Sequence, residues 1–339
     1  MSEEALRERV HGWQQGALAL DLAFIGVHGG LFDRLAEGAP MAPEALARAA
    51  GLDEGYVRAW CQAAYAFELL EHDEDGYRNS PLGEAFRAER RPTLLPAAVG
   101  SLFAAHMAER AAGLMTSGER PGESVLAERE TLLRWFGPML EAGFGGLFER
   151  QILPAVAEFA EVDAKGGLAV DLGCGNGWYL RILARHRPHL RGLGLDGFAE
   201  NVRQARELAE REGLGDRLSF REGDIDHFAS EEPADLIAMN RALHHVWDQR
   251  ERVFNLIRDH LKPGGVAVIW EPAWPDSVDA LRTPNRRPMA FQNLAEYVQG
   301  NHFLRPAEIE AAFAEVEMES RLYTFNDGAE AVVVGRRPG

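Results

Sequence analysis

Lysine is nearly missing from this sequence: Lys165 and Lys262 are the only two in 339 residues. With 53 acidic side chains against 36 basic ones, the formal charge is −17 at pH 7. A field of that sign repels phosphate backbones and anionic lipid headgroups, so neither nucleic acid nor a membrane surface is an expected partner. Cysteine is as scarce. Cys61 and Cys174 have no paired spacing, which excludes a disulfide framework. No apolar run reaches the roughly 18 residues of a membrane span, and the acidic N-terminus lacks the charge pattern of a secretory leader. Cytoplasm is therefore the expected location. Internal repeats and low-complexity stretches are also lacking. What remains is a composition of 46% hydrophobic and 26% charged residues, enough to fill a core and unlike a disordered chain. At this length two domains are expected.

The most informative stretch is 168–183, L-A-V-D-L-G-C-G-N-G-W-Y-L-R-I-L. It reads as an apolar strand ending at Asp171, then glycines at alternate positions (Gly173, Gly175, Gly177), then an apolar helix. Residues without a Cβ let backbone N–H groups approach a ligand closely at a helix start. The G-x-G-x-G spacing departs from the G-x-G-x-x-G of dinucleotide folds. Cys174 reads as a small residue beside this turn rather than a nucleophile.

Further strands follow in register with helices. Residues 191–196 close on Asp196, 23 positions after Gly173, where an acid can take both ribose hydroxyls. Residues 218–222 lead into Gly223-Asp224-Ile225. Residues 235–240 end in Asn240, and after a helix at 251–261 come Leu261-Lys-Pro-Gly-Gly265 and a strand at 266–270. Strands alternating with helices of ten or more residues predict an α/β fold, with a doubly wound, mostly parallel sheet and a ligand at the strands' carboxyl ends.

These motifs together resemble the class I S-adenosylmethionine-dependent methyltransferases over roughly residues 140–339. The family's first motif matches at V-D-L-G-C-G-N-G, its ribose acid at Asp196, its adenine-side acid at Asp224, and its L-K-P-G-G turn at 261–265. The resemblance implies a Rossmann-like sheet with a terminal antiparallel hairpin, which residues 319–335 fit around the turn Asn326-Asp-Gly328. It also implies roles. Asp171 supports the glycine turn, Gly173 and Gly175 contact the methionine moiety, Asp196 holds the ribose, Asp224 and Ile225 frame the adenine, and Asn240 lines the methionine side.

The front of the chain reads differently. Helical apolar spacing covers 16–35, 43–50 and 55–70, with Asp53 and Pro43 as helix-start signals. A polar stretch follows at 71–79, then a short segment at 80–88. Three helices and a polar turn predict a mainly helical, winged-helix-like domain. Residues 1–90 carry eight arginines, no lysine and sixteen acids, which argues against DNA binding. Such a front domain joined to an S-adenosylmethionine domain resembles the caffeate/hydroxyindole type of small-molecule O-methyltransferase. That resemblance implies a homodimer built by residues 1–100, which also cover the acceptor, a helical connector at 101–160, and a catalytic domain at 161–339. The apolar stripe Trp135, Phe136, Met139, Phe144, Phe148 and Ile152 in the connector reads mostly as core.

In the resembling O-methyltransferases the general base is a His a few residues beyond the fourth strand, within a Leu/Cys-His-Asp-Trp pattern. His244 falls on that His, and a neutral imidazole suits the task. This chain departs from the pattern by having His245 in place of Asp, and by a Trp one residue late. Leu-His-His at such a turn also serves packing and backbone placement. The expected function is methyl transfer from S-adenosylmethionine to a small-molecule acceptor, most readily at oxygen, with His244 and His245 as catalytic candidates and no metal assigned.

Two other readings stay open. His244, His245, His302 and Glu271 could converge on Zn or non-haem Fe, for metal-dependent C-methylation of an α-keto acid. A winged-helix protein that senses S-adenosylmethionine without catalysis is the third, although no basic recognition helix is visible. The long segment 271–301 is expected to shape the acceptor site, with Arg282, Arg286 and Arg287 as forks for a carboxylate or phosphate or as a solvated basic loop.

Overall fold

Ser2 accepts a hydrogen bond from the Ala5 N–H and starts the first helix, Glu3–His28, well ahead of the expected position 16. The computed structural model describes residues 1–36, 38–230 and 232–339, which cluster into two units, Met1–His106 and Met107–Gly339. The first helix does not run to 35. It stops at Gly29, Gly30 takes a left-handed φ of +65°, and a short helix restarts at Leu31–Leu35. Apolar residues continue across this break, so periodicity alone joins what the two glycines separate.

Helix Pro43–Ala50 lies where its spacing predicts, and Asp53 caps helix Glu54–Ala66 by accepting from the Tyr56 N–H at 3.0 Å. That helix ends short of 70 because the chain turns into an antiparallel hairpin, β1 (Leu70–Asp73) and β2 (Gly76–Asn79). The polar stretch 71–79 is thus the wing. Phe32 sits at the centre of this unit, edge-on to Trp60 at 5.4 Å, while the Trp60 indole N–H donates to Leu22 O at 3.0 Å. Leu31, Leu46, Val57, Cys61 and Leu69 are buried around them.

The second unit holds a seven-stranded sheet: β3 (Leu168–Leu172), β4 (Arg191–Asp196), β5 (Leu218–Glu222), β6 (Ala234–Asn240), β7 (Leu261–Pro272), β8 (Glu319–Phe325) and β9 (Glu330–Arg336), in the order β5-β4-β3-β6-β7-β9-β8. The first five neighbours run parallel, and β7-β9-β8 run antiparallel. The sheet is Rossmann-like and doubly wound, with the switch point between β3 and β6, where open α/β sheets bind their ligands.

Two local departures have simple causes. Strand β7 begins at Leu261, and Lys262–Gly265 bulges from it, so Leu261 pairs with Ala234 while Val266 already pairs with Leu236. Gly264, at φ +74°, permits that bulge. The terminal hairpin turns at Asn326, Asp327 and Gly328, all three at positive φ.

Strand β3 is wholly buried between two apolar layers. Phe148 and Ile152 of the expected stripe lie in one of them. Phe148 packs at 4.4 Å from Tyr179 and 6.1 Å from Trp270, forming an aromatic floor under the start of helix Trp178–His186. Phe144 meets Trp270 edge-on at 5.9 Å and carries the Arg241 guanidinium over its face at 4.0 Å.

Candidate active site

Parallel register brings the carboxyl ends of β3, β4, β6 and β7 to one edge. Asp171 stands opposite Ala238 and Gly194, and Asn240 opposite Trp270, which places Asp171, Asp196, Asn240 and Glu271 along that edge.

The glycine turn crosses from β3 toward β4. Its Gly173 and Cys174 N–H groups donate to Leu195 O at 2.8 and 2.9 Å. Gly175 has φ +54°, its N–H donates to Asp196 Oδ2 at 2.8 Å, and a Cβ added to it would meet no atom within 4 Å. Its outer side is therefore open, whereas Gly173, at φ +78°, abuts Ala242. The Asp196 carboxylate is buried and also accepts from the Phe198 N–H and from Asn201 Nδ2, both at 3.0 Å. Asp224 is exposed at the end of β5 and Ile225 half-buried beside it.

Asp171 is wholly buried and accepts from Asn240 Nδ2 at 2.8 Å. Burial pushes its carboxyl up to about 8 against the Asn240 bond, with the nearby Asp196 charge adding to the rise. Among the described residues, Asn240 Oδ1 and both amide atoms of the buried Asn176 have no hydrogen-bond partner. Unpaired polar atoms beside an open glycine turn suit a ligand rich in amine, carboxylate and hydroxyl groups. S-adenosylmethionine is such a ligand, so these residues fit it.

Beyond β6 the chain bends through Arg241, a non-glycine residue at φ +56°. Arg241 is held there by its N–H to Trp270 O at 2.7 Å and by its guanidinium on Glu330 at 2.8 Å. The turn that follows delivers His244 into the interior. Glu271, at the end of β7 and wholly buried, accepts from the Leu243 N–H at 2.7 Å through Oε1 and meets His244 Nδ1 at 2.6 Å through Oε2. A carboxylate at that distance assigns the proton to Nδ1 and leaves the lone pair on Nε2. Burial raises the Glu271 carboxyl, yet the His244 charge and hydrogen bond and the Arg241 charge outweigh it, so the net direction is down.

His244 Nε2 lies 3.7 Å from Glu296 Oε2, too far for a hydrogen bond, and its ring meets Phe303 edge-on at 5.2 Å. His245 lies against His244 with centroids 4.2 Å apart and ring planes tilted by 36°. Its Nδ1 is 2.8 Å from Glu123 Oε1 and 2.9 Å from Asn301 Nδ2. The carboxylate contact favours a proton on that nitrogen. Burial draws the His245 imidazole down, but the Glu123 bond and the charges of Glu296, Glu123 and Glu271 carry it above its ordinary value. The same bond holds the Glu123 carboxyl below the usual range.

Sequence reasoning missed Glu123, Glu296 and Asn301. Glu296 comes from helix Arg287–Val298, within the long segment 271–301 expected to shape the acceptor site, and no local motif marks it. The four residues nominated as metal ligands do not converge as a set: His302 is exposed, and Glu271 faces the protonated side of His244. Arg286 is committed to backbone, donating to Ala273 O at 2.5 Å and to Gly328 O, and Arg287 donates to Arg282 O at 3.1 Å.

Comparison with known proteins bears on the domains and the fold. Residues 169–265 match the family described as "Methyltransferase domain", and residues 16–80 match the "Rv2258c-like winged HTH domain". Trans-aconitate 2-methyltransferase of Azoarcus sp. is 34% identical over 103 residues, covering 30% of this chain and 38% of that protein. The chain spans less than half the length of the curated relatives it first matches. N,N-dimethyltransferase OxyT of Streptomyces rimosus is 28% identical over 314 residues, 86% of each chain. The crystal structure of human N-acetylserotonin methyltransferase in complex with S-adenosylmethionine superposes with a TM-score of 0.73 at 18% identity, covering 100% of this chain and 99% of the other, a likeness of fold. The chain thus carries, in order, a segment that matches a winged helix-turn-helix domain and one that matches a methyltransferase domain.

Proposed function

We propose that this protein moves the methyl group of S-adenosylmethionine to a hydroxyl of a small-molecule acceptor, with His244 as general base. The observation that carries this reading is the His244–Glu271 pair, in which a buried carboxylate 2.6 Å from Nδ1 leaves the lone pair on the opposite nitrogen, Nε2. The sulfonium already makes the methyl group electrophilic when the cosubstrate is bound. What the chain's own residues add is alignment of the acceptor and removal of its proton. Glu271 would stabilise the imidazolium that forms. It acts as the orienting acid does in other carboxylate–histidine pairs.

For the cosubstrate, Gly173 and Gly175 would present backbone to the methionine moiety, and Asn240, pinned on Asp171, would line the same side. Asp196 would hold the ribose. Three donors already occupy three of its roughly four acceptor directions, so its ribose contact falls to the one that remains. Asp224 and Ile225 would frame the adenine.

As a further part of this reading, the front helices would form a symmetric homodimer. Exposed Val10, Trp13, Leu18 and Ile25 on the first helix and Tyr56 and Tyr65 on the fourth support it. The two cysteines, both buried and free, suit a reducing cytoplasm. The test of the catalytic claim is a steady-state assay of S-adenosylhomocysteine release with phenolic acceptors. Turnover is expected in the wild type and a deep loss in His244→Ala, with S-adenosylmethionine affinity retained in calorimetry. Full turnover by the variant would remove the base.

A further inference from the structure

The two adjacent imidazoles share a pattern that a single general base does not require. Each ring has its Nδ1 against a carboxylate, His244 on Glu271 at 2.6 Å and His245 on Glu123 at 2.8 Å. His244 is thereby left with Nε2 as its unprotonated nitrogen, and the Glu123 contact favours the same tautomer in His245, with the Asn301 side-chain amide, 2.9 Å from that Nδ1, then presenting its oxygen there. Carboxylates that fix the tautomer of histidines in this way are the usual outer support of metal-binding imidazoles. In front of His244 Nε2 stands Glu296 Oε2 at 3.7 Å, two electron-pair donors facing each other with no hydrogen bond between them. Gln299 Nε2 donates to that same Glu296 oxygen at 3.1 Å and keeps the carboxylate in place. Among the described residues, one nitrogen of each ring and one oxygen of Glu296 come within 4.8 Å of one another. Two ligands of a tetrahedral ion with bonds near 2.0–2.1 Å stand roughly 3.3 Å apart, so small side-chain rotations close the set.

We infer that His244, His245 and Glu296 form a binding site for a divalent transition-metal cation, and that occupancy of this site switches off the proposed base. Two imidazoles and one carboxylate suit Zn²⁺ or Co²⁺ rather than Mg²⁺ or Ca²⁺, which take oxygen ligands. A cation bound there takes the His244 Nε2 lone pair, the same pair that would accept the acceptor's proton. The donor set differs from the one the sequence nominated, since Glu296 replaces His302 and Glu271 moves to the outer position. Inhibition rests on the proposed base role of His244, whereas binding of the cation does not.

The experiment uses the full chain after dialysis against a chelator. Zn²⁺ is titrated in by calorimetry, and Co²⁺ is followed by its visible absorption, alongside Glu296→Gln and His245→Ala. Expected are one ion per chain, a tetrahedral-type Co²⁺ spectrum, and binding at least tenfold weaker in each variant, with wild-type melting curves showing that the variants fold. Glu123→Gln provides a milder probe of the outer position and is expected to weaken binding less. Absence of saturable binding at up to millimolar Zn²⁺, or binding unchanged in both ligand variants, overturns the site. In the methyl-transfer assay, activity is expected to fall in step with occupancy and to return with EDTA. Activity that rises with occupancy overturns the inhibitory assignment. Full turnover by His244→Ala would instead count against the base while leaving the calorimetric result to judge the cation site.

Discussion

The glycine turn and the histidine pair lie at one edge of one sheet, yet they are made of different material. At the turn the groups that set the shape are backbone amides of Gly173, Cys174 and Gly175, tied to Leu195 and Asp196 on the adjacent strand. At the pair they are side chains drawn from 123 to 301: Glu123, His244, His245, Glu271, Glu296 and Asn301. A site of backbone amides is fixed once the strand, turn and helix form, and it survives many side-chain changes. A site of long-range side chains depends on every one of them. Substitutions at the pair should therefore act on rate, and substitutions around the turn on affinity and stability.

The largest effect is expected at His244. Removing a positioned general base costs roughly 10²–10⁴-fold in turnover, so His244→Ala should lose that much in kcat while its S-adenosylmethionine affinity stays within about twofold in calorimetry. A parallel loss of affinity would break the division between the two regions. Next comes Glu271→Gln. It removes a hydrogen bond to a charged partner worth roughly 1.5–3 kcal/mol, which corresponds to about 10–100-fold in rate. Its effect should fall on kcat with KM little changed.

Around the turn the effect moves from rate to affinity. Asp196→Ala should weaken S-adenosylmethionine binding by at least about tenfold, on the same hydrogen-bond scale, and leave the saturated rate nearly intact. Calorimetry showing unchanged affinity would take Asp196 out of the site.

A smaller and purely structural effect belongs to Asp171. Its carboxyl, ordinarily near 3.8, is raised by burial to about 8. Between those values the folded protein holds a proton that the unfolded chain releases, so this residue's contribution to stability falls as pH rises from about 4 to 8. Asp171→Asn keeps an oxygen for Asn240 and removes the titration. Its melting temperature should vary less across that window than the wild type's, by at least a few degrees. Identical pH profiles for the two proteins would contradict the burial argument.

The same contrast decides what the sequence reveals. Strand β3, the alternate glycines and Asp196 lie within a short stretch, and their chemistry is local: a φ that only glycine takes readily, and an apolar run ended by an acid. His244 is a candidate only through the resemblance, by its place a few residues beyond the fourth strand of the sheet domain. Glu296 was not legible, because a glutamate on an amphipathic helix carries no local mark of facing inward, and only the packing of helix Arg287–Val298 puts it 3.7 Å from an imidazole. Glu123, 122 positions before His245, is hidden for the same reason. In the front unit, the first helix and its restart at Leu31 were read as one because the apolar period does not register the left-handed Gly30. The wing hairpin was visible only as a polar stretch, since two strands of four residues are too short for alternation to show.

Methyl transfer measured in the presence of EDTA is the most direct test of how the pair works. Purified protein, S-adenosylmethionine and a set of phenols and α-keto acids are combined, and S-adenosylhomocysteine is quantified with and without chelator for the wild type and His244→Ala. Release with a phenolic acceptor, undiminished by EDTA and lowered at least about a hundredfold in the variant, is the expected result. Release confined to α-keto acids, abolished by EDTA and restored by Zn²⁺ or Fe²⁺, would contradict it and make the histidine pair a catalytic metal centre.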